Sequence, residues 1–217
     1  MIHYIAKNLQ LREVILSGGE PLMIPMEDLD YILWSIRRID HVEIIRIGSR
    51  IPVTLPQRIT GDLLTLLAKY SPVWLNTHFN HYCEITSVSA EACEKIVQSG
   101  IPLNNQTVLL KGINDDAQTL LQLNHALLKI KVRPYYLFQC DPVIGVEHFR
   151  TRVAKGIEII EHLQGHTSGL AVPIFAVDTP GGGGKVPLIP NYCLSFSPEH
   201  VILRNYRNQI YQYQEPI

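Results

Sequence analysis

Two hydrophobic patterns alternate along this chain, and the alternation limits the folds open to it. Residues 12–17 form a short, β-branched run that stops at Gly18-Gly19-Glu20-Pro21. Leu29, Ile32, Leu33 and Ile36 then fall at helical spacing. The change repeats. Runs at 42–47, 72–76, 103–109, 133–138 and 171–177 read as strands. Between them lie Leu63, Leu64, Leu66 and Leu67, then residues 88–99 with Gly100 as a stop, then Leu120, Leu121, Leu127 and Leu128, and finally residues 153–163, all with helical patterning. A strand that ends in a turn and hands over to an amphipathic helix about every 30 residues is the rhythm of a parallel sheet. The expected class is α/β, either a (βα) barrel or a doubly wound sheet. Asn114-Asp115-Asp116 stands where a helix cap is needed. Residues 201–204 and 209–211 read as a hairpin around Arg207-Asn208. No linker or low-complexity stretch breaks the chain, so residues 1–217 read as one domain.

In folds of this class ligands sit beyond the C-terminal ends of the strands. Polar residues gather there in this sequence. Ser17 to Glu20 follow the first strand, Ser49 and Arg50 the second and His78 the third; Gln106 lies in the fourth, Asp141 follows the fifth and Asp178 the sixth. Each alone is more simply a cap or a turn former; together on one rim they predict a site.

The run Asp178-Thr-Pro-Gly-Gly-Gly-Gly-Lys185 is the most unusual stretch. Four glycines cost more backbone entropy to order than any other four residues, so a folded chain keeps them where its backbone must approach something closely. A phosphate-binding loop of the G-x4-G-K-[ST] type is excluded twice, by Thr179 at the first glycine position and by Val186 after the lysine. The remaining readings are a flexible loop that presents Lys185 to a carbonyl cofactor, as a Schiff base, and a surface loop with a solvated lysine.

Composition narrows the classes. The net charge of -1 gives no general attraction to nucleic acid or anionic lipid. No apolar run approaches the roughly 18 residues of a membrane span. Cys83, Cys93, Cys140 and Cys193 are far apart and form no C-x-x-C, so neither a disulfide framework nor a zinc knuckle is indicated, and a reducing cytoplasm is the expected compartment.

Several stretches together resemble a known family. Val14-Ile-Leu-Ser-Gly-Gly-Glu-Pro21 is similar to the GGE motif of radical S-adenosylmethionine (SAM) enzymes. Arg46-Ile-Gly-Ser-Arg50, Leu55-Pro-Gln-Arg-Ile-Thr60, Trp74-Leu-Asn-Thr-His-Phe-Asn-His81, Asn105-Gln106 with Gly112-Ile-Asn-Asp115, Arg133-Pro-Tyr-Tyr136, Glu147-His-Phe-Arg-Thr151, Gly165-His-Thr-Ser-Gly169 and Pro180 to Lys185 resemble the lysine 2,3-aminomutase family. The resemblance implies a partial (βα) barrel of the radical SAM type, with SAM and pyridoxal phosphate (PLP) at its open rim. It implies that Lys185 binds PLP, that Gly18, Gly19 and Glu20 receive the amino group of SAM, and that His78 and Gln106 lie near SAM. Asp141 and Asp178 would take the substrate's ε-ammonium. The activity implied is migration of the amino group of lysine from C2 to C3, begun by a 5′-deoxyadenosyl radical, in a homo-oligomer.

The family also binds a [4Fe-4S] cluster through C-x3-C-x2-C ahead of the GGE strand, and none of the four cysteines has that spacing. The expectation is therefore a fragment without the cluster unit and without the C-terminal dimerisation segment. Asp116 stands where some members place a zinc-binding cysteine, so no metal is expected on this chain. Three alternatives stay open: a glutamate 2,3-aminomutase, the enzyme that makes β-lysine for elongation factor P, and an inactive PLP-binding module.

Overall fold

The computed structural model describes residues 1–216 and divides into two compact units. The first holds Met1–Thr107 and Leu123–Pro134, the second Val108–Gln122 and the chain from Tyr135 onward.

In chain order the elements of the first unit are α1 (Ile2–Lys7), β1 (Glu13–Leu16), α2 (Met26–Arg37), β2 (Ile44–Gly48), α3 (Ile51–Thr54), α4 (Gly61–Lys69), β3 (Val73–Thr77), α5 (Ser87–Gln98) and β4 (Leu103–Leu109), whose last two residues pass into the second unit. β1 pairs with β2, β2 with β3 and β3 with β4, all parallel, with Val14 opposite Ile45, Ile47 opposite Leu75 and Leu75 opposite Leu103. The helices supply the crossovers that parallel pairing requires. They bury Leu29, Leu33 and Ile36 of α2, Leu63, Leu64 and Leu67 of α4, and Ala92, Cys93 and Ile96 of α5, and the strands bury Ile45, Ile47, Val73 and Leu75. Thr60 Oγ1 accepts from Leu63 N to cap α4, and Thr86 and Ser89 cap α5 reciprocally. Arg37 at the end of α2 donates to the carbonyls of Tyr70, Val42, Glu43 and Pro72, so one guanidinium satisfies acceptors around the starts of β2 and β3.

The second unit receives the helix α6 (Ala117–Lys129), which is shared between the units, and the strand β5 (Arg133–Gln139), of which only the first two residues lie in the first unit. Asp116 Oδ1 accepts from Thr119 N at 2.8 Å, so the expected cap of α6 is Asp116. Then come α7 (Val153–Leu163), β6 (Ile174–Thr179), β7 (Gly184–Pro187), β8 (Cys193–Phe196), β9 (His200–Arg204) and β10 (Ile210–Gln214). β5 and β6 are parallel, with Leu137 opposite Phe175. β6 and β7 are antiparallel. β8, β9 and β10 form a separate antiparallel sheet in the order β10-β9-β8. The expected C-terminal hairpin is β9–β10, with Asn208 in the left-handed region at φ 61°.

Two expectations need correction here. The sixth strand begins at Ile174, not at 171, because residues Gly169–Ala171 wind into a short 3-10 turn in which the Ser168 hydroxyl accepts from Leu170 N. Asp178 lies inside β6 instead of following it, because pairing with β7 carries the strand on to Thr179.

α7 lies against β6 with almost no clearance. A Cβ added at Gly156 would stand 2.1 Å from the Phe175 ring, and both residues are buried. Helix propensity favours alanine over glycine by about 1 kcal/mol, whereas overpacking a core contact of this kind costs about 1–3 kcal/mol. Gly156→Ala is expected to lower unfolding stability by up to about 2 kcal/mol, read by urea denaturation. Gly61→Ala in α4, where an added Cβ meets nothing within 4 Å, is expected to be neutral or stabilising in the same assay.

Candidate functional site

In the first unit the candidate residues follow β1, β2 and β3, and Gln106 lies within β4. After β1 the chain turns through Gly18 at φ +86° and Gly19 at φ +56°, a conformation that L side chains rarely adopt, and no atom lies within 4 Å of a Cβ added at either. The backbone there faces open space. Glu20 is fixed by both oxygens: Oε1 accepts from Leu22 N at 3.3 Å and Oε2 from Arg50 N at 2.9 Å. This joins the end of β1 to the segment after β2. Arg50 Nη2 donates to Glu84 Oε1 at 2.7 Å. Glu84 Oε2 in turn accepts from Asn80 N at 2.5 Å and His81 N at 3.1 Å. Two carboxylates and one guanidinium thus tie together the segments that follow β1, β2 and β3.

His78 is half-buried in this network. Burial, reinforced by the Arg50 guanidinium, holds its pKa below the ordinary imidazole value, and Glu20 opposes the shift in part. A neutral imidazole keeps one donor and one acceptor nitrogen for a ligand. The backbone of neighbouring Phe79 is clamped by Asn105, which accepts from Phe79 N at 2.7 Å and donates to Phe79 O at 3.0 Å. Gln106, next along β4, is half-buried. Thr77 Oγ1, at the end of β3, is buried and has no hydrogen-bond partner.

In the second unit the register of β6 and β7 decides the geometry. Asp178 is directly opposite Lys185, and Thr179 is opposite Gly184. Lys185 Nζ lies 3.0 Å from both carboxylate oxygens of Asp178 and 4.6 Å from the centre of the Phe138 ring on β5. Their side chains are 47% and 41% exposed, so the pair is accessible. Phe138 stacks on Tyr136 at 4.9 Å. Asp141 is exposed and lies three residues beyond Phe138, where its carbonyl accepts from Val143 N in a turn.

Lys185 therefore stands on a seventh strand, not on a flexible loop after the sixth. The physical reason lies in the glycines. Gly181, Gly182 and Gly184 all take positive φ, which lets the chain reverse within a few residues and resume pairing at once. Thr179 Oγ1 donates to Gly184 O at 2.9 Å and closes the turn. The residues the sequence missed are Glu84 and Phe138. Glu84 has a visible signal, an acidic residue three positions after the His81 cap, as in a capping box. Phe138 shares one face of β5 with Tyr136 by the period-two rule.

The thiols offer no cluster. All four cysteines are free, burial pushes the Cys93 thiol up to about 12, and burial also raises that of Cys140. Among the described residues no three His, Cys, Asp or Glu side chains are grouped to hold a metal ion.

Comparison with known proteins shows where the likeness lies. The family model described as lysine-2,3-aminomutase matches residues 160–217. L-lysine 2,3-aminomutase of Clostridium subterminale is 57% identical over 216 residues, which is 100% of this chain and 52% of that protein. Along its whole length the chain is similar to lysine 2,3-aminomutases. It spans about half the length of the curated relatives it matches, for example 50% of L-lysine 2,3-aminomutase of Methanococcus maripaludis at 57% identity. Glutamate 2,3-aminomutase of Clostridioides difficile is 47% identical over 214 residues, with 51% of its length covered. Among solved structures, Streptococcus suis SuiB bound to S-adenosylmethionine matches with TM-score 0.55 at 13% identity, over 77% of this chain and 39% of that one. Native anSMEcpe with bound AdoMet matches with TM-score 0.54 at 9% identity, over 75% and 48%. At these identities the fold alone is shared, and it is the expected α/β class with parallel strands and outer helices.

The sign of the His78 shift sets a pH dependence. The folded state binds the proton less well than the unfolded chain, so His78 costs nothing above the ordinary imidazole pKa of about 6.5. Its neutral burial becomes a growing penalty as pH falls through that value towards the lower folded pKa. Imidazole titration by NMR is expected to place the His78 midpoint below 6.5, higher in Arg50→Met and lower in Glu20→Gln. A midpoint unmoved by Arg50→Met would separate His78 from the network.

Proposed function

We propose that these residues form the core of an L-lysine 2,3-aminomutase, which moves the α-amino group of lysine from C2 to C3 and yields β-lysine. The observation that carries the reading is the Lys185–Asp178 pair across the β6–β7 hairpin, an accessible amine with a carboxylate on a register that leaves little freedom. PLP supplies a carbonyl that holds an amine and spreads unpaired electron density, and SAM supplies the hydrogen-abstracting radical.

The chain's own residues have separate tasks. Gly18 and Gly19 let the backbone come close to SAM, and Glu20 keeps lone pairs for its ammonium beyond the two it uses on Leu22 N and Arg50 N. His78 and Gln106 lie beside SAM; the unpartnered Thr77 hydroxyl at the same strand end suits a polar ligand. Lys185 provides the amine that anchors PLP. Asp141 and Asp178 receive the ε-ammonium of lysine, whose three N–H donors suffice for two carboxylates. Two aspartates would repel the side chain of glutamate, which favours lysine over the substrate of the glutamate relative. The four free cysteines lack the spacing of a [4Fe-4S] ligand set, so these residues do not fit the cluster. A homo-oligomer in a reducing cytoplasm completes the reading, in accord with four free thiols.

Borohydride reduction after incubation with PLP, followed by peptide mapping, is expected to place the pyridoxyl mass on Lys185. A label on Lys111 or Lys155 instead would reject the assignment. In a whole protein that carries the cluster cysteines together with these residues, Asp141→Asn and Asp178→Asn are each expected to cut lysine turnover. Loss of one partner of an exposed charge pair costs about 0.2–1 kcal/mol, up to about fivefold in rate. Turnover at the parent rate in both variants would make the two aspartates turn formers.

A further inference from the structure

We propose that the ammonium of Lys185 itself fills the cation seat on Asp178, so that an outside ammonium can take that seat only when Lys185 is drawn away. The inference rests on the functional reading above for what the seat is used for, but the occupancy stands on geometry alone. Asp178 and Lys185 are direct partners in the β6–β7 register, and Nζ is equidistant from the two oxygens at 3.0 Å. The ring of Phe138 at 4.6 Å gives the same ammonium a second favourable contact. Both contacts hold it on Asp178 when nothing else is present.

The consequence is competition at close quarters. A cation tethered to the neighbouring strand has an effective concentration in the millimolar range or above. A free alkylammonium must displace it or share a carboxylate already neutralised. Condensation with a carbonyl weakens the competitor. The lysine nitrogen attacks the carbonyl carbon, a C=N bond forms, the carbonyl oxygen leaves as water, and a proton passes to solvent. The nitrogen then keeps no N–H as a neutral imine and one in place of three as an iminium, so its hold on Asp178 is weakened. The two halves of the site are thereby ordered: the lysine must be engaged before the carboxylate is free, so an ammonium substrate binds weakly to a chain whose lysine is still unengaged.

The test needs no cofactor. n-Butylammonium chloride is titrated into the parent chain, Lys185→Met, Lys185→Gln and the double variant Asp178→Asn/Lys185→Met, at ionic strength matched with sodium chloride. Binding is read from the backbone amide shifts of residues 176–179, and an unchanged amide spectrum elsewhere checks each fold. Exposed ion pairs of this kind shift a competing equilibrium by about fivefold. Lys185→Met and Lys185→Gln are therefore each expected to bind the probe about fivefold more tightly than the parent, and the double variant is expected to lose that gain. Equal affinity in the parent and both single variants overturns the proposal, as does a gain that persists in the double variant. Two lysine variants are used so that a hairpin disturbed by one side chain does not decide the outcome. Failure here would leave pyridoxyl labelling of Lys185 untouched, and failure of the labelling would leave the amine titration standing.

Discussion

Parallel strands cannot be joined by tight turns, and most of what this chain does follows from that constraint. Each strand of the first unit must be followed by a crossover, and each crossover begins at the same edge of the sheet. The segments that leave β1, β2 and β3 are therefore neighbours in space although about 30 residues apart in sequence. Polar backbone exposed in those segments needs partners. Glu20 and Glu84 supply them, and Arg50 links the two carboxylates. The network that holds the loops is the same one that sets the environment of His78. Structural satisfaction and site electrostatics are here one set of contacts.

The second unit departs from the rule at one point. β7 returns antiparallel beside β6, with no crossover. A parallel neighbour would have needed a helix in between and would have brought in a residue far along the chain. The reversal instead sets Lys185 opposite Asp178, seven positions away, with a register maintained by ladder hydrogen bonds and by Thr179 Oγ1 on Gly184 O. Exposed ion pairs are individually weak, so the position of this lysine depends on the hairpin and on the Phe138 ring more than on the charge.

Much of this was legible from residues alone. β4 occupies Leu103–Leu109 and α7 occupies Val153–Leu163, the spans that hydrophobic runs and helical spacing predict. The strand-end position of Glu20, His78 and Asp141 was legible too, because turn chemistry marks where strands stop. What was hidden has a common cause. β7 contains a glycine and no strongly apolar run, and β8 is four residues long; both are held by pairing with a neighbour, which no local pattern displays. A run of four glycines reads as slack because each glycine adds freedom, and only the hairpin shows that three of them are in use at positive φ. Glu84 was missed because its carboxylate serves backbone N–H groups and an arginine from another loop, a role set by tertiary proximity.

The turn between β6 and β7 has a length as well as a composition. Gly183 has an ordinary φ, yet a Cβ there would stand 2.3 Å from Thr179 Oγ1, the atom that closes the turn. The bend thus has no spare room and no spare residue. Side chains on a strand alternate between the two faces of a sheet. Lengthening the run by a single glycine would, if the turn kept its geometry and pairing simply slid, send the amine to the opposite face and leave a glycine opposite Asp178. The glycines act as a counting device: their number, and not merely their flexibility, determines which side of the sheet carries the Lys185 amine.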